Sequence, residues 1–102
     1  MEHHVYFWLK EQCKNQQDRE SFEQGLESLL TLPGLVSGVW GRPAAVMERP
    51  VIDRSWDYAL SMTFESVAAH DAYQVDPDHN VFVSEQSPKW EKVLVMDLEP
   101  NH

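Results

Sequence analysis

Histidine and tyrosine carry most of the chemistry this chain can offer near neutral pH. The segment Tyr73-Gln74-Val75-Asp76-Pro77-Asp78-His79 sets a phenol and an imidazole on either side of a helix start. Aspartate is a good N-cap and proline is tolerated at the first helical position, so His79 falls at the third. The positive end of the helix dipole disfavours a protonated ring there. A neutral imidazole can serve as a general base. Asp78 and Asp76 act the other way, since nearby carboxylates favour the protonated form. The residues alone leave that balance open. The Tyr73 phenol can donate a hydrogen bond to a developing oxyanion. Each residue has a plainer alternative: Tyr73 as packing with a wet hydroxyl, His79 as a hydrogen-bonding group at a helix end.

The remaining reactive side chains form no recognisable set. His3 and His4 are neighbours on a predicted strand and point to opposite faces. His70 and His79 are separated by a helix break, and His102 is terminal. No short-spaced zinc constellation exists, so no metal is expected. Cys13 has no activating partner in sequence and reads as incidental. Gly34, Gly38 and Gly41 punctuate turns and strands and do not make a phosphate loop, and no cofactor is expected.

Composition narrows the function classes. The chain has 102 residues, a formal charge of −9 and 42% hydrophobic residues. That fits one folded domain over residues 1–102. An acidic surplus disfavours nucleic acid and anionic membranes. A single cysteine and no apolar leader point to the cytoplasm.

The elements that must position these groups follow from periodicity. His4–Leu9 alternates as a strand, with Val5, Phe7 and Leu9 on one face and His4, Tyr6 and Trp8 on the other. Residues 15–32 read as a helix with Phe22, Leu26, Leu29 and Leu30 in one stripe, ended by Pro33-Gly34. Residues 35–41 form a weak strand, and 42–55 a long loop. A third strand spans 57–64, and helices follow over 66–75 and 76–86. The last strand is 90–98. This order is the ferredoxin-like α+β plan, a four-stranded antiparallel sheet with helices on one face. The open face is expected to carry Tyr6, Trp8, Leu60 and Trp90. That much exposed apolar surface is best buried against a second copy, as a homodimer.

Several runs, in order, resemble one family. They are His3-His4-Val5-Tyr6-Phe7-Trp8-Leu9-Lys10, Gly41-Arg42-Pro43-Ala44 and Val51-Ile52-Asp53-Arg54-Ser55-Trp56-Asp57. Two more are His70-Asp71-Ala72-Tyr73-Gln74-Val75-Asp76-Pro77-Asp78-His79 and Trp90-Glu91-Lys92-Val93. Together they are similar to the stress-responsive dimeric α/β-barrel (Dabb) family over essentially the whole chain. The resemblance implies a ferredoxin-like protomer and a homodimer whose two sheets form a barrel.

For function it implies a stress-associated protein of uncharacterised physiological role, and a small, partly apolar molecule is expected to bind in a cavity between sheet and helices near Tyr73 and His79. The alternative it implies is cofactor-free aldol chemistry, as in a polyketide-cyclase branch of the family. In that branch the pattern His-Pro-x-His supplies the base from its second histidine. Asp76-Pro77-Asp78-His79 keeps that histidine and replaces the first with aspartate. Tyr73 matches the tyrosine that positions the substrate carbonyl. His4 and Tyr58 match cavity positions, Tyr58 standing where the cyclase has histidine. Phe22, Tyr6, Trp8, Phe82, Trp90, Val93 and Val95 are the expected apolar walls, and would serve equally as core. Monooxygenases, with or without haem, share the dimeric architecture, but these motifs follow the Dabb pattern and not a haem-binding one. A coenzyme A thioester would be repelled by the net charge unless Arg42, Arg49 and Arg54 formed a basic patch.

Overall fold

The computed structural model describes residues 1–101; His102 lies outside them. The chain folds as β1 (Glu2–Leu9), α1 (Gln16–Leu29), β2 (Leu35–Gly41), β3 (Tyr58–Phe64), α2 (Val67–Gln74), α3 (Pro77–Gln86) and β4 (Trp90–Leu98). Short 3₁₀ turns at Glu11–Cys13 and Ser87–Lys89 precede α1 and β4. The four strands form one sheet in the order β2-β3-β1-β4, and every pairing is antiparallel. This is the ferredoxin-like architecture that the element order predicts.

Each helix begins where its capping chemistry says it should. The Asn15 side chain accepts from the Asp18 amide, Ser66 from Ala69, and Asp76 from Asp78. Gly34, at φ +88°, makes the turn out of the segment after α1 in a conformation that favours glycine. Phe22, Leu26 and Leu29 of α1 are buried against the sheet.

The β1 alternation decides what the helices cover. His3, Val5, Phe7 and Leu9 are buried, while His4, Tyr6 and Trp8 lie on the opposite face. Val5 pairs with Leu60 and Phe7 with Tyr58, so Leu60 shares the helix-covered face and is 1% exposed. The expectation that Leu60 lies on the open face is therefore corrected by strand register. Trp90 is corrected for a different reason. Lys92 pairs with Trp8 and Trp90 with Leu9, so a bulge at Glu91 returns the indole to the helix side.

The open face instead carries Tyr6 and Trp8 with Leu94, Met96, Leu98 and Val39. Met96 and Leu98 are half exposed and Val39 more so. Residues 42–57 are irregular, extending the expected loop over 42–55 to the start of β3 at Tyr58, and their end folds onto this face. Trp56 sets its ring edge-on to Tyr6 at 5.4 Å, and Trp8 Nε1 donates to Ser55 Oγ at 3.0 Å.

On the covered face, aromatic packing ties α1 and α3 to the sheet. Phe22 lies 5.1 Å from Phe7, 5.1 Å from Tyr58 and 6.0 Å from Phe82, centroid to centroid. The Phe82 ring also explains Gly25: a Cβ there would stand 3.1 Å from Phe82 Cδ1 and Cε1. The Gly25→Val variant should lose roughly 1–3 kcal/mol from overpacking, read by urea denaturation. An unchanged midpoint would show that α3 yields freely.

Candidate ligand-binding site

The break between α2 and α3 turns two side chains inward. Tyr73 comes from the last turn of α2, and His79 from the first turn of α3. Both border a cavity of about 360 Å³ between the helices and the sheet. Val5, Phe7, Leu60, Val93 and Val95 face it from the strands, with Leu29, Phe82 and Val83 from the helices. Trp90 lies toward one end of the strands. His3, His70, Gln74 and Asp97 form a polar group toward the other.

Tyr73 and His79 meet edge to face, with centroids 4.8 Å apart and planes at 69°. Burial alone pushes the Tyr73 phenol far above its ordinary range, which keeps it protonated and a donor. The His79 imidazole is pushed down, first by burial and then by the charge of His3, with His70 adding to the effect. Asp76 acts in the opposite sense and is outweighed. The competition that the residues alone leave open is thus settled by desolvation, and the ring is neutral near pH 7. His79 Nδ1 is buried without a hydrogen-bond partner, and so is Trp90 Nε1. His79 and Trp90 themselves border the cavity, so an apolar space with a few polar side chains is available to a small ligand.

The polar end is built from residues distant in sequence. His3 Nδ1 lies 2.5 Å from Asp97 Oδ1 and 3.2 Å from His70 Nε2. The Gln74 amide stands 3.2 Å from His70 Nε2 and 3.5 Å from His3 Nε2. Burial lowers the pKa of His3, against the opposing hydrogen bond and charge of Asp97.

The structure brings together Tyr73, His79, Phe82, Trp90, Val93 and Val95. It does not bring in the others. His4, Tyr6 and Trp8 lie beyond the sheet on the open face, because alternation leaves them no route to the helix side. His4 bonds Ser61 and Glu2 there. Phe22 and Tyr58 are fully buried core residues outside the cavity wall. The Tyr58 hydroxyl donates to Glu23 at 2.6 Å and accepts from Arg19 at 3.3 Å. Sequence reasoning missed His3, His70, Gln74 and Asp97. For His3 the signal was present: it shares parity with Val5, Phe7 and Leu9, and choosing His4 is a slip of one residue that reverses the face. The arginine patch does not assemble as a trio. Arg49 and Arg54 line a hollow in the loop with Glu48 and Asp53, whereas Arg42 stands 5.7 Å over the Tyr58 ring.

The Dabb stress-responsive A/B barrel domain matches residues 1–100. The chain belongs to this family. It is similar to olivetolic acid cyclase of Cannabis sativa, 23% identical over 100 residues, covering 98% of this chain and 96% of that protein. It resembles the structure of hydroxynitrile lyase from Passiflora edulis, with a TM-score of 0.75 and 26% identity over 93% of this chain and 87% of that one. It also resembles a dimeric ferredoxin-like protein of unknown function from Jannaschia, with a TM-score of 0.73 and 28% identity over 97% of each chain. No helix among the described residues is long and apolar enough to cross a membrane.

Partial burial of His79 is expected to make this Dabb domain less stable in acid. His79 titrates lower in the folded chain than at its unfolded value of about 6.5. Between those two values the unfolded chain binds more protons, so stability rises with pH there. It is fully present above about pH 6.5 and is lost as pH falls through the folded value. His79→Asn should flatten part of the fall in urea midpoint as pH drops below about 6.5. Identical slopes in the two proteins would show that His79 is not held neutral by burial.

Proposed function

We propose that this protein is a homodimeric small-molecule-binding domain whose ligand, partly apolar and bearing a carbonyl or hydroxyl, lies against Tyr73 and His79. The observation that carries this reading is that the His79 ring and the buried Tyr73 ring, 4.8 Å apart, both border one largely apolar cavity. A ligand hydroxyl or carbonyl would hydrogen-bond the His79 ring while its apolar body fills the space over Val5, Val93 and Phe82. Lone Cys13 and the acidic surface fit a reducing cytoplasm and a ligand that is not nucleic acid.

The dimer rests on the open sheet face. Leu94, Met96 and Leu98 are exposed beside Tyr6 and Trp8. Water-facing apolar area of this kind is stabilised by pairing with its own copy about a two-fold axis. The Jannaschia protein to which this chain is similar is dimeric, which supports self-association.

A second reading is favoured by the protonation states. A neutral imidazole beside a protonated phenol can take a proton from a carbon next to a carbonyl while the phenol donates to the forming enolate oxygen. Two relatives, a cyclase and a lyase, place enzymes among this chain's kin.

Three measurements test these readings. A small-molecule thermal-shift screen should yield compounds that stabilise the wild type and leave His79→Ala unshifted; equal shifts would remove His79 from the site. Met96→Glu should convert a dimer to a monomer in sedimentation velocity, and a wild type that sediments as a monomer would refute the pairing. For a methyl ketone found in the screen, deuterium exchange at the α-carbon should fall about 10²–10⁴-fold in His79→Ala. No catalysed exchange in the wild type would leave binding alone as the function.

A further inference from the structure

We propose that His3, His70 and Asp97 bind one divalent cation of the zinc class at the polar end of the cavity. These residues come from the start of β1, the middle of α2 and the end of β4. Their ligand atoms all lie within 4.8 Å of one another. The two imidazole nitrogens, His3 Nδ1 and His70 Nε2, are 3.2 Å apart. Ligands about 2.0–2.1 Å from a tetrahedral zinc stand roughly 3.3 Å from each other, so this pair is already spaced for one. Asp97 Oδ1 sits closer, 2.5 Å from His3 Nδ1. Its side chain is 41% exposed and can back away by under about an ångström.

Hydrogen bonds can join His3 to Asp97 and Gln74 to His70, but they leave the 3.2 Å approach of His3 Nδ1 to His70 Nε2 without one. His3 Nδ1 carries at most one proton, which can point in line at Asp97 or at His70 but not at both. A cation at the centre takes a lone pair from each of the three.

The surroundings supply what a metal-bound histidine needs. His70 Nδ1 lies 3.2 Å from Asp71 Oδ1. A proton on that nitrogen, donated to Asp71, leaves Nε2 bare toward the centre. Gln74 adds an amide 3.2 Å from His70 Nε2, and its oxygen could take that place by an amide flip. On the outer side, His70, Asp71, Asp97 and Glu99 border a hollow of about 310 Å³. Its carboxylates favour entry of a cation. The side chains of His3 and His70 are only 4% and 11% exposed, so the inner ligands are held by packing. Two imidazoles and a carboxylate suit zinc, cobalt or nickel better than magnesium or calcium. The proposal stands independently of the reading of Tyr73 and His79.

The test uses the full chain stripped with a chelator and titrated with Co²⁺, followed by calorimetry and by visible d–d absorption. One Co²⁺ per chain, displaced by Zn²⁺, is expected. His70→Ala and the near-isosteric Asp97→Asn should each weaken binding at least about 10–100-fold, with folding checked by circular dichroism. His4→Ala, on the far side of the sheet, should bind as the wild type does. Absence of stoichiometric uptake by the wild type overturns the proposal. So does uptake that both ligand variants retain, or uptake that His4→Ala abolishes.

Discussion

The pairing of β1 with β3 and β4 determines which side of every strand meets the helices, and the other features of the molecule follow from it. Val5 opposite Leu60, and Phe7 opposite Tyr58, set one apolar row under α1 and α3. His3, on the same row, is carried to the inner end of the cavity and opposite Asp97. A shift of one residue would send His4 inward and expose Val5 and Phe7 to water, at a cost of about 1.5–3 kcal/mol for each large side chain. The burial of hydrophobic side chains thereby selects the histidine that faces the cavity.

The cavity has a local cause in the helices. One continuous helix over residues 67–86 would lay a single stripe on the sheet, but Pro77 cannot continue the preceding turn and Asp76 caps a new one. The chain changes direction there, and Tyr73 and His79 approach each other from two axes instead of one. Two aromatic side chains bound the space. Phe82 packs toward Gly25 and Phe22, and Trp90 is turned inward by the bulge at Glu91.

Burial also controls the chemistry of the site. Tyr73 and His79 are both shifted toward their neutral forms by desolvation, and the carboxylate of Asp76 is too weak an influence to reverse it for the imidazole. Asp76 thus acts on His79 mainly through structure, by capping the helix that presents the ring. The acidic net charge stays chiefly on the solvated surface, where it bears on association and solubility more than on the fold.

Much of this protein could be read from local pattern. Alternation in β1 and β3, the stripe of Phe22, Leu26 and Leu29, and the Asp76-Pro77 start are encoded within a few residues of each other, so element order and the ferredoxin-like plan follow without tertiary information. Tyr73 and His79 were legible as a pair for the same reason, since both flank one helix junction. Sequence also required that some apolar face remain open, but it misassigned Leu60 and Trp90 to it. Cross-strand register and a bulge are set between strands, not within them. The cluster of His3, His70 and Asp97 belongs wholly to tertiary structure. Its members meet only because antiparallel pairing brings the end of β4 beside the start of β1, and α2 lays His70 over both. Sequence spacing carries no trace of such a meeting, because the contact is closed by the hydrophobic packing of the entire sheet.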